Sequence, residues 1–164
     1  MDVDPQLDPA RIAAVGYIHA INEKVAEYLR AVPALNIVTN IFDEDSKDAV
    51  QLIQNAMQGS EKLSLMIGTG ECKDAAIGVP DVIRFDPMEV LVLCMEQPML
   101  NRDPTSGTNV TVNRLAEIVA CSLKGKQIAQ SFFVKADFRQ PSENLGSVAA
   151  RLVVLTISAN VAAS

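Results

Sequence analysis

The spacing of apolar residues along the chain predicts where helices lie. Apolar side chains recur every three or four positions in three segments, residues 8–32, 46–58 and 111–124. Asp8 and Pro9 suit the start of the first helix, because a carboxylate caps free N–H groups and proline fits the first helical position. We expect Asp45 or Ser46 to cap the second helix, and Gly125 suits the end of the third.

Other segments are rich in β-branched and aromatic residues between turn-forming residues, which predicts strands. These are residues 36–42, 62–67, 83–96, 131–139 and 148–159. Proline donates no N–H group to a sheet, so we expect a bulge or an edge position at Asp86-Pro87. Residues 90–94 are continuously apolar, which predicts burial on both faces. The order of segments predicts one α+β domain over residues 1–164, with helices packed on one face of a mainly antiparallel sheet.

Two polar segments lie between predicted strands. Residues 68–74, with the sequence GTGECKD, contain two glycines but match neither a P-loop nor a dinucleotide fingerprint. Lys73 stands where the dinucleotide fingerprint needs its third glycine. We therefore expect a turn or an edge bulge there. Residues 140–147 have the composition of a hairpin loop.

Charge and composition disfavour several classes of function. The net charge of −6 and the aromatic content of 4% argue against a nucleic-acid clamp, which needs a basic face and stacking side chains. No apolar run reaches the roughly 18 residues that a helix needs to cross a membrane. The acidic N-terminus lacks the pattern of a secretory signal. Cys72, Cys94 and Cys121 are widely spaced, which predicts free thiols in a reducing cytoplasm.

Candidate catalytic and metal-binding residues are few. His19 is the single histidine and has no neighbouring cysteine pair, so we expect a packed or surface histidine and no structural zinc site. No Gly-x-Ser-x-Gly motif accompanies it. The acidic residues 43–48 lie at a predicted helix start, where negative charge is favourable without any chemistry. We expect no catalysis, no cofactor and no metal, and keep an enzyme using Glu96 and Asp45 as an alternative.

A polar loop between the buried strand and the third helix raises the main functional question. Glu96 ends the apolar run, and residues 101–109 follow. This loop is a candidate phosphate cradle, catalytic turn or protein contact surface. The loop has one glycine, Gly107, and one nearby cation, Arg102. A phosphate site needs several free backbone N–H groups that point at the ligand, so these residues give only weak support for one. Two prolines stiffen the loop, and a stiff loop loses less entropy on binding, so we favour a contact surface.

The sequence of this region resembles that of phage tail proteins. The residues that carry the resemblance are VLVLCMEQP from Val90, NRDPTSGT from Asn101 and AEIV from Ala116. Their order, and the order of helices and strands over most of the chain, is similar to that of the tail terminator and head–tail joining proteins of long-tailed bacteriophages. The predicted helix at residues 46–58 departs from the family pattern.

The resemblance implies a structural virion protein that is not an enzyme. Such proteins form a ring, usually hexameric, that caps the tail tube and joins it to the head connector, and they assemble in the host cytoplasm. DNA passes through the ring without specific binding, which suits a ring of roughly −36 formal charge because phosphate is repelled. The alternatives are another neck, tail or baseplate component, or a generic α+β protein-binding module.

On this interpretation, the partner contacts lie in the polar loop. Arg102 and Asp103 are the ionic contacts, and Glu96 supports them. The other predicted contact residues are Asn101, Thr105, Ser106, Gly107 and Thr108. Residues 68–80 and 140–147 offer further patches for the head-to-tail contacts of a ring.

Overall fold

Five helices and seven strands form in the part of the chain that the computed structural model describes, residues 2–142 and 145–162. The helices are α1 (Pro9–Val15), α2 (Tyr17–Arg30), α3 (Ala49–Met57), α4 (Pro98–Asn101) and α5 (Val112–Leu123). The strands are β1 (Asn40–Asp43), β2 (Leu63–Asp74), β3 (Val82–Glu96), β4 (Gln127–Ile128), β5 (Ser131–Phe132), β6 (Lys135–Arg139) and β7 (Ala149–Ala162).

The central sheet has five strands in the order β1-β2-β3-β7-β6. β1 runs parallel to β2, and the other three pairs are antiparallel. This confirms the predicted α+β class with a mainly antiparallel sheet. β6 pairs with β7 next to the predicted hairpin loop at residues 140–147, although residues 143 and 144 of that loop lie outside the described residues.

The main core lies between one face of the sheet and helices α2 and α5. It joins side chains from both helices and the three long strands, among them Ile21, Val25, Leu29, Leu65, Val92, Leu115, Val119 and Leu155. Burying each such side chain contributes about 1.5–3 kcal/mol. A second, smaller cluster lies on the opposite face, where Ala56 of α3 packs with Met95 and Val148. The face of the sheet that α2 and α5 cover therefore carries most of the hydrophobic stabilisation.

The predicted first helix is two helices. Gly16 has a φ of 91°, which glycine adopts without steric strain, and it ends α1 and begins α2. Its N–H donates to the carbonyl of Ile12 at 2.9 Å. The predicted cap at Asp8 is confirmed, because its carboxylate accepts from the Ala10 N–H at 3.0 Å.

The second helix begins later than predicted. α3 starts at Ala49, so neither Asp45 nor Ser46 caps it. Those residues instead form a turn after β1, in which the Asp43 carboxylate accepts from the Asp45 N–H at 3.0 Å and the Asp43 carbonyl accepts from the Ser46 N–H at 3.2 Å. The predicted caps were wrong because this turn occupies the same residues.

Several predicted strands have other bounds in the structure. β1 is shorter than predicted, because a turn at residues 36 and 37, which follows a 3₁₀ helix at Pro33–Leu35, occupies its expected start. The segment 131–139 is divided into β5 and β6 at Phe133 and Val134. The bulge expected near Asp86-Pro87 is confirmed by a register shift between Phe85 and Met88, but β3 lies inside the sheet and not at its edge.

The glycine-containing segment 68–74 continues β2 and does not form a turn. The predicted bulge is confirmed, because the pairing register shifts between Thr69 and Cys72 and again before Asp74. β2 and β3 thereby extend into a hairpin arm, residues 71–87, in which no residue is fully buried. The end of β7 pairs along this arm, since Ala162 lies opposite Val82.

Candidate functional site

The polar loop is built on a buried carboxylate at the end of β3. The Glu96 side chain is fully buried, and its Oε1 accepts from the backbone N–H of Val112 at 3.1 Å. Its Oε2 accepts from Nδ2 of Asn101 at 2.6 Å, and the Arg102 guanidinium donates to both oxygens at 3.3 Å. A buried charge needs such partners to be stable. Glu96 thus holds the first part of the loop against the start of α5.

Asn101 joins the two ends of the loop. Its side chain is fully buried, and besides Glu96 it donates to the carbonyl of Val110 at 2.7 Å. Its Oδ1 accepts from the Thr108 hydroxyl. One amide group therefore fixes the separation between the beginning and the end of the loop.

Gly107 occupies a position with no space for a side chain. A Cβ atom there would lie 2.1 Å from the carbonyl oxygen of Asn101 and 2.6 Å from that of Asp103. The Gly107 N–H also donates to the Asp103 carbonyl at 2.9 Å. The close backbone approach explains why glycine is needed at this point of the loop.

Asp103 organises the tip of the loop. Its Oδ1 accepts from the Thr105 hydroxyl at 2.7 Å, from the Thr105 N–H at 2.9 Å and from the Ser106 N–H at 3.0 Å. These hydrogen bonds, that from the Thr105 hydroxyl above all, lower the pKa of Asp103 to about 2. Lys62, the residue before β2, also holds the tip, because its ammonium donates to the Ser106 carbonyl.

The loop keeps its charges at neutral pH. Burial raises the pKa of Glu96, but hydrogen bonds from Arg102, Asn101 and Val112 outweigh burial and leave its pKa below the ordinary value. The hydrogen bond to Glu96 in turn raises the pKa of Arg102. The Arg102 side chain is 58% exposed, so part of the guanidinium faces solvent while part neutralises the buried carboxylate.

The predicted contact residues form two groups, buried residues that support the loop and residues that lie at its surface. Glu96 and Asn101 expose none of their surface in the isolated chain, so they support the loop from below. Gly107, Thr108 and Asp103 are half-buried. The exposed residues are Arg102, Thr105 and Ser106, together with Pro104 and Asn109.

Sequence reasoning missed the apolar part of this surface. Met99 in α4 is 86% exposed, and Leu100 beside it is also exposed. The side chain of Gln97 caps this helix by accepting from the Met99 N–H at 3.3 Å, and Pro98 is its first residue. A capping residue followed by proline is a helix-start signal that would have revealed α4.

His19 lies among carboxylates, where the sequence predicted a packed or surface histidine. Its Nε2 is 3.2 Å from Glu23 and 3.6 Å from Asp43, and its Nδ1 is 3.8 Å from Asp45. His19, Asp43 and Asp45 offer ligand atoms that lie within 4.8 Å of one another, which is close enough for a divalent cation. Arg11 already binds Glu23 through its Nε at 3.0 Å. The cluster links α2 to the connection between β1 and α3.

The chain matches no model of a protein family and no curated protein. Its function is therefore inferred from its own residues and geometry, above all from the polar loop. Within residues 2–142 and 145–162, no helix is both long enough and apolar enough to span a membrane.

Proposed function

We propose that this protein is a structural subunit of a phage tail or neck and forms a ring through the polar loop. A tail terminator is the first choice, and another head–tail joining component is the second. In this ring identical copies contact one another head to tail, as in the usually hexameric rings of the family that the sequence resembles. The partners would be the tail tube below and the head connector above, in a virion assembled in the host cytoplasm.

The observation that carries the proposal is that buried side chains hold the exposed polar loop in one conformation. Four hydrogen bonds to the buried Glu96 come from the loop itself or from the start of α5. The surface above this network presents Arg102, Thr105, Ser106 and the apolar Met99. A surface that is already ordered loses little conformational entropy when it binds another protein.

The charge of the protein is compatible with a ring around DNA. Each copy carries a net charge of −6, so a ring repels the phosphates of a passing duplex wherever acidic side chains line the channel. DNA would then pass without specific binding. Neither catalysis nor a cofactor enters this function.

Native mass spectrometry and negative-stain microscopy of the purified protein test the proposal. We expect closed rings, alone or after addition of purified tail tubes, and we expect the rings to bind tube ends. A protein that stays monomeric in both conditions would contradict the proposal. It would favour instead a protein-binding module in which Met99 and Leu100 contact a single partner.

A further inference from the structure

The end of the hairpin arm carries apolar side chains in solvent. Ile77 and Val79 lie in the loop between β2 and β3, and Ile83 is the second residue of β3. All three are exposed. Apolar residues that cluster at a projecting hairpin favour a contact with another protein over a free surface.

The same part of the arm is acidic. Lys73 pairs with Glu71 at 3.3 Å, and Arg84 lies 3.9 Å from Asp86, so both basic residues of the arm already have an acidic neighbour. Asp74 and Asp81 flank the apolar loop. Among the described residues, no basic side chain lies within ion-pair distance of either of them. The arm tip, residues 74–83, therefore combines exposed apolar side chains with two carboxylates that have no basic partner among the described residues, although that of Asp74 accepts from the Ala76 N–H at 2.8 Å.

A groove of complementary character lies between the end of α5 and the start of β6. It has a volume of about 680 Å³ and is lined by Cys121, Lys124, Gly125, Phe132, Phe133 and Val134. Phe133 is buried, whereas Phe132 and Val134 are exposed. We call this the edge groove.

The edge groove has one cation in its lining, Lys124. No acidic residue occurs between Glu117 and Asp137, and Lys124 and Lys126 both lie in that stretch. Within the described part of the chain, neither lysine has a carboxylate oxygen at ion-pair distance. Lys126 does not line the groove, because its ammonium lies 6.0 Å from the centre of the Tyr28 ring in a neighbouring depression that Asp2 also lines. The groove therefore combines apolar side chains with a positive charge, whereas the arm tip combines apolar side chains with negative charge.

The tip and the groove of one copy are too far apart to meet. The Val134 N–H donates to the carbonyl of Thr156 at 3.0 Å, which places the groove beside that residue of β7. The loop of the arm tip continues from Val82, which pairs with Ala162, six residues farther along the same strand. At a rise of about 3.4 Å per residue, the separation is roughly 20 Å. Only a second copy can bring the two surfaces together.

We propose that the arm tip of one copy docks in the edge groove of the next. Asp74 and Asp81 would face Lys124, while Ile77 and Val79 cover Phe132 and Val134. The contact is heterologous, because two different surfaces meet, and repetition of such a contact yields a ring or a filament. This inference rests on the proposed function and adds a second interface to the one at the polar loop.

Variants with one defective surface test the proposal. The tip variant combines Ile77→Asp with Val79→Asp, and the groove variant is Val134→Asp. Val50→Asp is the matched control, since Val50 on α3 is 70% exposed and Val134 is 68% exposed. All of these positions are at the surface, so circular dichroism and thermal midpoints should match those of the unmodified protein.

Native mass spectrometry of each variant, and of the tip and groove variants mixed, gives the result. We expect the unmodified protein and Val50→Asp to form rings. Each docking variant should assemble only at a protein concentration that is higher by about tenfold or more. At concentrations at which neither variant assembles alone, the mixture should give dimers, because a tip variant keeps its groove and a groove variant keeps its tip. Asp81→Lys should weaken assembly, and Lys124→Glu in the same chain should restore it.

Other results would overturn the docking proposal and are distinct from failure of the proposed function. If the tip and groove variants form normal rings, the docking proposal is wrong while the ring function stands. If their rings are normal but no longer bind tail tubes, the arm contacts the tube and not a second copy. If the unmodified protein and Val50→Asp both stay monomeric with tail tubes present, the proposed function itself fails.

Discussion

Asn101 donates a hydrogen bond to Glu96 across 2.6 Å, and both side chains are fully buried. The same amide nitrogen donates to the carbonyl of Val110. A neutral side chain thus satisfies a buried charge and a buried backbone group together. The loop above α5 has its shape because of this pair.

Asn101→Ala should lower the free energy of unfolding by about 2–4 kcal/mol, because it removes the shortest of the hydrogen bonds to the buried Glu96 carboxylate and the side-chain donor to the Val110 carbonyl. Urea denaturation followed by circular dichroism measures the change. Asn113→Ala is the control, since Asn113 is exposed and its hydrogen bond to Arg151 lies at the surface, where the loss should stay within about 0.5 kcal/mol. Equal losses in the two variants would show that the buried pair has no special role.

The acid sensitivity of the loop follows from two lowered pKa values. Glu96 and Asp103 both have a pKa below the ordinary value in the folded protein, that of Asp103 being about 2. Each carboxylate therefore stabilises the fold above its unfolded pKa, near 4, and this contribution is lost as the pH falls through the folded pKa. We expect the thermal midpoint to fall as the pH is lowered from about 5 to 2. Glu96→Gln should make the fall smaller, and an unchanged pH profile in that variant would contradict the assignment.

Gly107→Ala tests the close backbone approach in the loop. The added Cβ atom would lie 2.1 Å from the Asn101 carbonyl oxygen, so the backbone has to move. We expect a loss of about 1–3 kcal/mol in the free energy of unfolding, the usual range for overpacking, and weaker assembly. Pro104→Ala, in the exposed part of the same loop, should change stability by less than about 1 kcal/mol. If Gly107→Ala is as stable as Pro104→Ala, the loop has more room than the structure gives it.

The hydrophobic pattern predicted the core better than it predicted the ends of elements. Helical spacing gave α5 to within a residue or two, because its apolar residues pack on the sheet as a regular helix requires. The break at Gly16 and the late start of α3 depend on single turns, which periodicity does not reveal. The interior of the loop was not predictable either, since nothing in the spacing of Glu96 and Asn101 indicates that both are buried and bonded.

The continuous apolar run in β3 shows where pattern alone misleads. Residues 90–94 predicted burial on both faces, but only the face toward α2 and α5 is fully covered. Val92 points to that face and is fully buried, whereas Leu91 is half-buried on the other. The sequence alone does not show that the second face is partly open, because α3 covers only one end of it.

Val92→Asp and Leu91→Asp should therefore differ. The first puts an unpaired charge into the core and should unfold the protein, because the cost of such burial is several kcal/mol. The second keeps access to water and should leave a folded protein with a lower thermal midpoint. Circular dichroism and a urea titration distinguish the two, and a fully unfolded Leu91→Asp would show that the second face is as dry as the first.

Arg102→Glu separates the stability of the loop from its role in assembly. The Arg102 side chain is more than half exposed, and Asn101 and Val112 still bind Glu96 in its absence, so we expect the protein to stay folded. The buried carboxylate loses its counter-ion, which should cost about 3 kcal/mol or more of stability. Assembly should weaken by about tenfold or more, because the exposed cation of the proposed contact becomes an anion. Arg114→Glu is the control: its side chain is 64% exposed on α5 and pairs only with Glu117 among the described residues. Sedimentation velocity measures the assembly of both variants. Normal rings from Arg102→Glu would place the interface elsewhere on the protein.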